Sequence, residues 1–141
     1  MEQYTYCVCK ANWCINITIV AGYSSLTEYT ENAISIFDNL WIEKSKNHYF
    51  KNDKIDEIDF DYFVKGLNVV KDYILKKREY EKTLITVYGV DFSVCDFQNE
   101  GLTAAIIEWA AETFKFKLLP IKVDFDKTKN RYIYDFSVTN K

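Results

Sequence analysis

The sequence predicts an α+β fold, a mainly antiparallel sheet built from hairpins and packed on one face by about three helices. Three observations predict it. Short stretches of alternating apolar residues come in neighbouring pairs, as hairpin strands do. Three longer stretches carry apolar residues at the three-four spacing of an amphipathic helix. No run of strand–helix–strand units repeats, which argues against a doubly wound parallel sheet. The chain has 141 residues, the usual size of one domain, and splitting it would leave two marginal cores. The expected order over 1–141 is β-β-α-α-β-β-α-β-β.

Residues 3–9 read as a strand, with Tyr4, Tyr6 and Val8 alternating with Thr5, Cys7 and Cys9. Lys10-Ala11-Asn12 is a turn, and the β-branched run 13–21 is a central strand ended by Gly22. The two form a hairpin, or one long strand with a bulge. Ser25-Leu26-Thr27-Glu28 matches a capping box. Leu26, Tyr29, Ala33, Ile36, Phe37, Leu40 and Trp41 then fall on one helical face, so a first helix is expected over 26–44. The polar residues 45–57 make a loop.

A second helix starts near Asp59. Phe60, Phe63, Val64, Leu67, Val70, Lys71 and Ile74 keep its spacing, and Lys76-Lys77-Arg78 suits its C-terminus. Residues 83–88 form a strand, Gly89 a turn, and 91–97 a returning partner. The third helix covers 99–115. Leu102, Ala105, Ile106, Trp109 and Thr113 face the core, while Glu100, Glu108 and Glu112 mark the other side. Ile121, Val123 and Phe125, then Tyr132, Tyr134 and Phe136, alternate around the turn 127–130 as a final hairpin.

The formal charge is -3, which lacks the cationic excess that a general nucleic-acid binder needs. No stretch reaches the roughly 18 apolar residues of a membrane span. The opening Met1-Glu2-Gln3-Tyr4 has no signal-peptide character. Cys7, Cys9, Cys14 and Cys95 are too few for a disulfide scaffold and fit a reducing compartment. These readings place the chain in the cytoplasm.

Familiar chemistries find little purchase. The four glycines are isolated, so no phosphate-cradling loop exists and no cofactor is expected. His48 is the lone histidine and has no nucleophile elbow to serve. Cys7, Cys9 and Cys14 lack zinc-knuckle spacing, and buried cysteine ordinarily behaves as a small hydrophobe. Asp124, Asp126, Thr128 and Asn130 imitate the start of a calcium loop, but Lys129 occupies the position that needs glycine. No catalytic residue and no metal site is therefore assigned.

Two features point to a protein partner. Aromatic residues make up 17% of the chain, with eleven Tyr and ten Phe, more ring surface than a small core requires, and Tyr is favoured at interfaces. Asp53, Asp56, Glu57, Asp59 and Asp61 form a dense acidic run that can steer a basic partner. The candidate contact residues are those five acids with Tyr49, Tyr62, Tyr132 and Tyr134.

In this profile the chain resembles the small bacterial immunity proteins of polymorphic toxin and contact-dependent inhibition systems. The resemblance implies stoichiometric binding to a cognate toxin, often a nuclease, with no direct nucleic-acid or membrane contact. Phage-encoded inhibitors of host defence share the profile. Two other expectations stand beside it. A small-ligand or enzymatic site could be assembled from distant residues, and a pocket of converging acids and Tyr hydroxyls would mark it. A homodimer could pair through the edge of the hairpin at 119–137.

Overall fold

A computed structural model describes residues 1–28 and 30–139. Its elements are β1 (Glu2–Val8), β2 (Ile15–Ser25), β3 (Ile34–Phe37), β4 (Leu40–Lys44), α1 (Asp61–Lys77), β5 (Thr83–Phe92), a 3-10 turn (Val94–Asp96), α2 (Glu100–Phe114), β6 (Lys122–Asp126) and β7 (Arg131–Asp135). Five strands form one sheet in the order β1-β2-β5-β4-β3, and β6 and β7 form a separate pair. The α+β class holds. The sheet is mainly antiparallel, but β4 and β5 run parallel at its centre, Leu40 opposite Thr83 through Lys44 opposite Val87. The segment β4–α1–β5 is thus a parallel crossover, a connection that the hairpin-dominated reading did not include.

The largest departure is at residues 26–44, expected as a helix and folded as a loop followed by the hairpin β3–β4. Ile34, Ile36 and Ile42 supply β-branched side chains to the two strands, where they pack better on a pleated surface. Asn39 adopts φ 65° at the tight turn, a conformation that Asn tolerates better than most residues. Ser25 is no helix cap. It ends β2, donates its hydroxyl to Glu81, and accepts from Arg78 Nη2 at 3.0 Å. Tyr29, assigned to the face of that helix, lies outside the described residues.

Two further boundaries shift. β2 continues through Gly22 to Ser25, and its register against β5 slips between Val20 and Ala21. This bulge leaves Tyr88 as the extra residue and lets a long strand bend. β5 likewise runs straight through Gly89, so 91–97 is not a returning strand. Glycine is needed at 89 because another segment lies against it, as described below.

The core lies between the sheet and the two helices. Ile15, Ile17 and Ile19 of β2, Ile42 of β4, and Ile85 and Val87 of β5 are fully buried. α2 packs over β1 and β2, and α1 over β3 and β4. Ten of the fifteen residues of α2 are buried, including Trp109. Its alanines thin it enough to lie close to both the sheet and α1.

The helices touch at Gly66. A Cβ there would collide with Ile106 Cγ2 and come within 2.9 Å of the Thr103 carbonyl oxygen. Gly66→Ala gains about 1 kcal/mol of helix propensity but overpacks the contact, at a cost of about 1–3 kcal/mol. The obstacle includes backbone, so the clash should win. The expected result is a lower urea midpoint at unchanged m-value. An unchanged or higher midpoint would show that the helices separate freely.

Cys9 and Cys14 close the turn between β1 and β2 as a disulfide, with their Cα atoms 4.3 Å apart. This corrects the expectation of four thiols. The hairpin brings its two ends within bridging reach, and Cys7 and Cys95 remain free and exposed. Among the described residues no helix is long and apolar enough to cross a membrane.

Candidate functional site

The acidic run belongs to a loop fixed onto β5. Beyond the end of β4, Ser45 N donates to Val87 O at 2.9 Å, Tyr49 N to Tyr88 O at 3.1 Å, and Lys54 N to Val90 O at 2.8 Å. Asp53 reinforces this seam. Its Oδ1 accepts from Ile55 N at 2.9 Å and Val90 N at 3.0 Å, and its Oδ2 accepts from Phe50 N at 3.1 Å. A Cβ on Gly89 would lie 2.6 Å from Asp53 Oδ2 and 2.9 Å from Tyr49 Cβ. The bare glycine is what lets the loop seat this closely.

The geometry sorts the nine candidate contact residues. Asp53 is not an exposed docking charge, because its carboxylate is spent on main-chain amides. Asp56 is exposed, but Lys44 Nζ and His48 Nε2 each lie 2.9 Å from it. The Lys44 hydrogen bond, helped by His48, holds its carboxyl below the ordinary range. Glu57 faces Lys54 at 3.6 Å. Asp59 Oδ1 accepts from Asp61 N at 3.0 Å, opening α1, and both acids are exposed. Four lysines stand among the five acids between residues 44 and 61. Of the five acids, Asp59 and Asp61 are the exposed ones with no ion pair among the described residues.

Of the aromatic candidates, Tyr49 is half exposed on this loop, against the ring of Phe50. Tyr62 is half-buried, with Lys65 Nζ 4.5 Å from its ring centroid. Tyr132 cannot serve as a surface contact, because it is only 1% exposed. Its ring meets Trp13 and Phe125, and its hydroxyl accepts from Lys10 N at 3.0 Å and donates to the Trp13 carbonyl at 2.5 Å. Tyr134 is half-buried, its hydroxyl 2.9 Å from that of Tyr6. Much of the aromatic excess thus joins the final hairpin to the body.

A second surface, at the β1 edge of the sheet, was not anticipated. A groove of about 440 Å³ separates β1 from β6, lined by Tyr6, Cys7, Val8 and Lys10 on one bank and residues 121–124 on the other. Glu108 of α2 lies in it and also borders a smaller hollow beside Tyr4 and Phe116. Tyr4 donates its hydroxyl to Glu108 Oε1 at 2.6 Å. Burial pushes the Tyr6 hydroxyl up to about 12 and raises those of Tyr4 and Tyr134 further, so all three stay protonated near neutral pH.

Glu108 was expected on the solvent side of its helix and is instead half-buried. A signal existed: it is the only charged residue between Leu102 and Ala111, and a lone acid in an apolar run either has a partner or has a use. Burial raises its pKa, and only the Tyr4 hydrogen bond pulls it back. A carboxyl raised in the folded state binds its proton more tightly there. Stability should therefore fall as pH rises from the unfolded value through the folded one, and stay lower above it. Glu108→Gln should raise the thermal midpoint at pH 7 and leave it unchanged near pH 3. An equal shift at both pH values would assign the effect to packing.

Among the described residues no group of three His, Cys, Asp or Glu side chains could hold a metal ion. Asp126 of the calcium-like segment accepts from Thr128 N at 2.9 Å and Lys129 N at 3.2 Å, an ordinary turn. Comparison with protein-family models, with curated proteins and with solved structures returns no match.

Proposed function

We propose that this chain is a non-catalytic protein-binding inhibitor, acting like an immunity protein that neutralises a cognate toxin by stoichiometric binding in the bacterial cytoplasm. The observation that carries the reading is the loop at 45–60. Its seam to β5 and the Asp53 carboxylate hold it in one conformation, so Tyr49 and the acids at the start of α1 need no ordering on binding. A half-exposed Tyr and exposed carboxylates on one fixed segment suit a basic surface: the ring anchors and the charges steer. In a reducing cytoplasm the Cys9–Cys14 pair would be a dithiol. The Trp13 and Lys10 main-chain contacts of Tyr132 would still hold that turn.

The test is neutralisation of a basic toxin domain encoded beside this chain's gene. Equimolar chain should abolish its activity and form a 1:1 complex by mass. Asp59→Lys with Asp61→Lys should slow association at low salt, with less effect at high salt. Unimpaired toxin at equimolar chain overturns the reading, and salt-independent kinetics in both forms remove the steering role.

A further inference from the structure

We propose that the groove between β1 and β6 receives an extended segment of a protein partner, laid in as an additional strand, with an Arg or Lys side chain meeting Glu108. It rests on the protein-binding reading only in that the occupant is a peptide, and it does not need the 45–60 loop.

The lining identifies the opening as edge-on. Tyr6, Cys7 and Val8 are consecutive, as are residues 121–124 on the far bank. Successive side chains in a strand point to opposite faces, so consecutive residues line a cavity together only where it lies along the strand's edge. Each bank is a strand bonded on one side: β1 to β2, and β6 to β7. Among the described residues no main-chain hydrogen bond joins the two banks. Unpaired amides and carbonyls on both sides are what an added strand uses.

The outer edge of β7 is treated differently. Gln98 Nε2 donates to Tyr132 O at 2.7 Å and Gln98 Oε1 accepts from Tyr132 N at 2.9 Å. That side-chain amide stands in for a neighbouring strand and blocks the edge. Among the described residues nothing comparable covers β1 or β6.

Charge selects the occupant. Glu108 has a hydroxyl on one oxygen and, among the described residues, no ion pair. Glu112 and Glu100 add to the negative surroundings of Tyr4 and Tyr134. A basic side chain turned inward would supply the missing partner. Lys10, Lys122 and Asp124, exposed at the rim, would meet outward-facing side chains instead. Strands β1 and β3 of a second copy contain no Lys or Arg, whereas its β6 carries Lys122, so self-pairing through β6 is the competing occupant that the oligomeric state must separate.

The test pans a displayed library of random linear decapeptides on the whole chain and synthesises the enriched peptide. The expected consensus has one Arg or Lys among β-branched residues. Glu108→Gln should weaken the peptide about tenfold or more. N-methylation at each successive central residue should also weaken it, because insertion between two edges uses amides pointing both ways. The N-methyl series needs no protein variant, so it decides the matter even if Glu108→Gln misfolds.

The proposal is overturned if no basic residue is enriched or if N-methylation is harmless. It is also overturned if only alternate residues respond, which would mean a single edge. Full competition by free arginine would reassign the groove to a small ligand. A dimer of the free chain that Glu108→Gln dissociates would reassign it to self-pairing. Asp59→Lys with Asp61→Lys should leave peptide affinity unchanged. If toxin neutralisation holds but no peptide is selected, the groove proposal alone fails. If peptides bind but no toxin is neutralised, the function fails and the groove stands.

Discussion

Tyr132→Ala is expected to cost about 4 kcal/mol of stability, near the middle of the range for removing a buried aromatic ring. Tyr132 is the largest fully buried side chain of the β6–β7 pair. Its ring packs edge-on against Trp13 at 5.0 Å and Phe125 at 4.9 Å. Its hydroxyl ties down the β1–β2 turn through Lys10 N and the Trp13 carbonyl. Truncation therefore opens a cavity and strands polar groups together. Tyr132→Phe keeps the ring and should cost about 1–2 kcal/mol, which isolates the hydroxyl. Urea unfolding of both variants measures the division. A loss under about 1.5 kcal/mol for the alanine variant would mean that the hairpin docks independently of this ring.

Asp53→Ala is expected to cost about 3 kcal/mol, because three main-chain amides lose a charged acceptor at once. Asp53→Asn should cost less. Its single carbonyl can replace Oδ1 toward Ile55 and Val90, and only the Phe50 amide is left without its partner. Hydrogen exchange separates the local effect from the global one. The amides of Phe50, Ile55 and Val90 should lose protection in the alanine variant, while α2 keeps its own. Uniform loss over the whole chain would refute a local role. The same variant should weaken any partner bound through Tyr49, since the loop would then have to order on binding.

The fold was partly legible for identifiable reasons. α1, α2 and the β6–β7 hairpin carry unbroken periodicity and lie where it places them. Residues 26–44 mislead because their apolar positions satisfy a helical spacing by coincidence. Their β-branching and the Asn39 turn, the deciding features, are weaker signals than periodicity. Gly89 reads as a turn because a glycine within a strand looks like punctuation. Its actual cause, the seating of Tyr49 and Asp53, is some forty residues away in sequence.

The candidate site was legible to a similar degree. The acidic run is where it was expected, but Lys44 and His48 claim Asp56, and the backbone claims Asp53. Tyr132 and Tyr134 were chosen by residue type, and alternation along β7 does not reveal that the hairpin turns that face inward. Pairings between β1 and α2, such as Tyr4 with Glu108, span about a hundred residues and leave no local trace.

The placement of β5 at the centre of the sheet has a consequence for the order of events during synthesis. β1–β2 and β3–β4 each close locally, but neither hairpin touches the other in the sheet; both meet only through residues 83–92. Until that segment has left the ribosome, Ile17 and Ile42 belong to two hairpins with no common partner. Pairing Ile17 with Phe92 must also close a long loop, which slows assembly. A nascent chain stopped before residue 83 should therefore bind chaperones and resist refolding, while one extended past α2 should escape them.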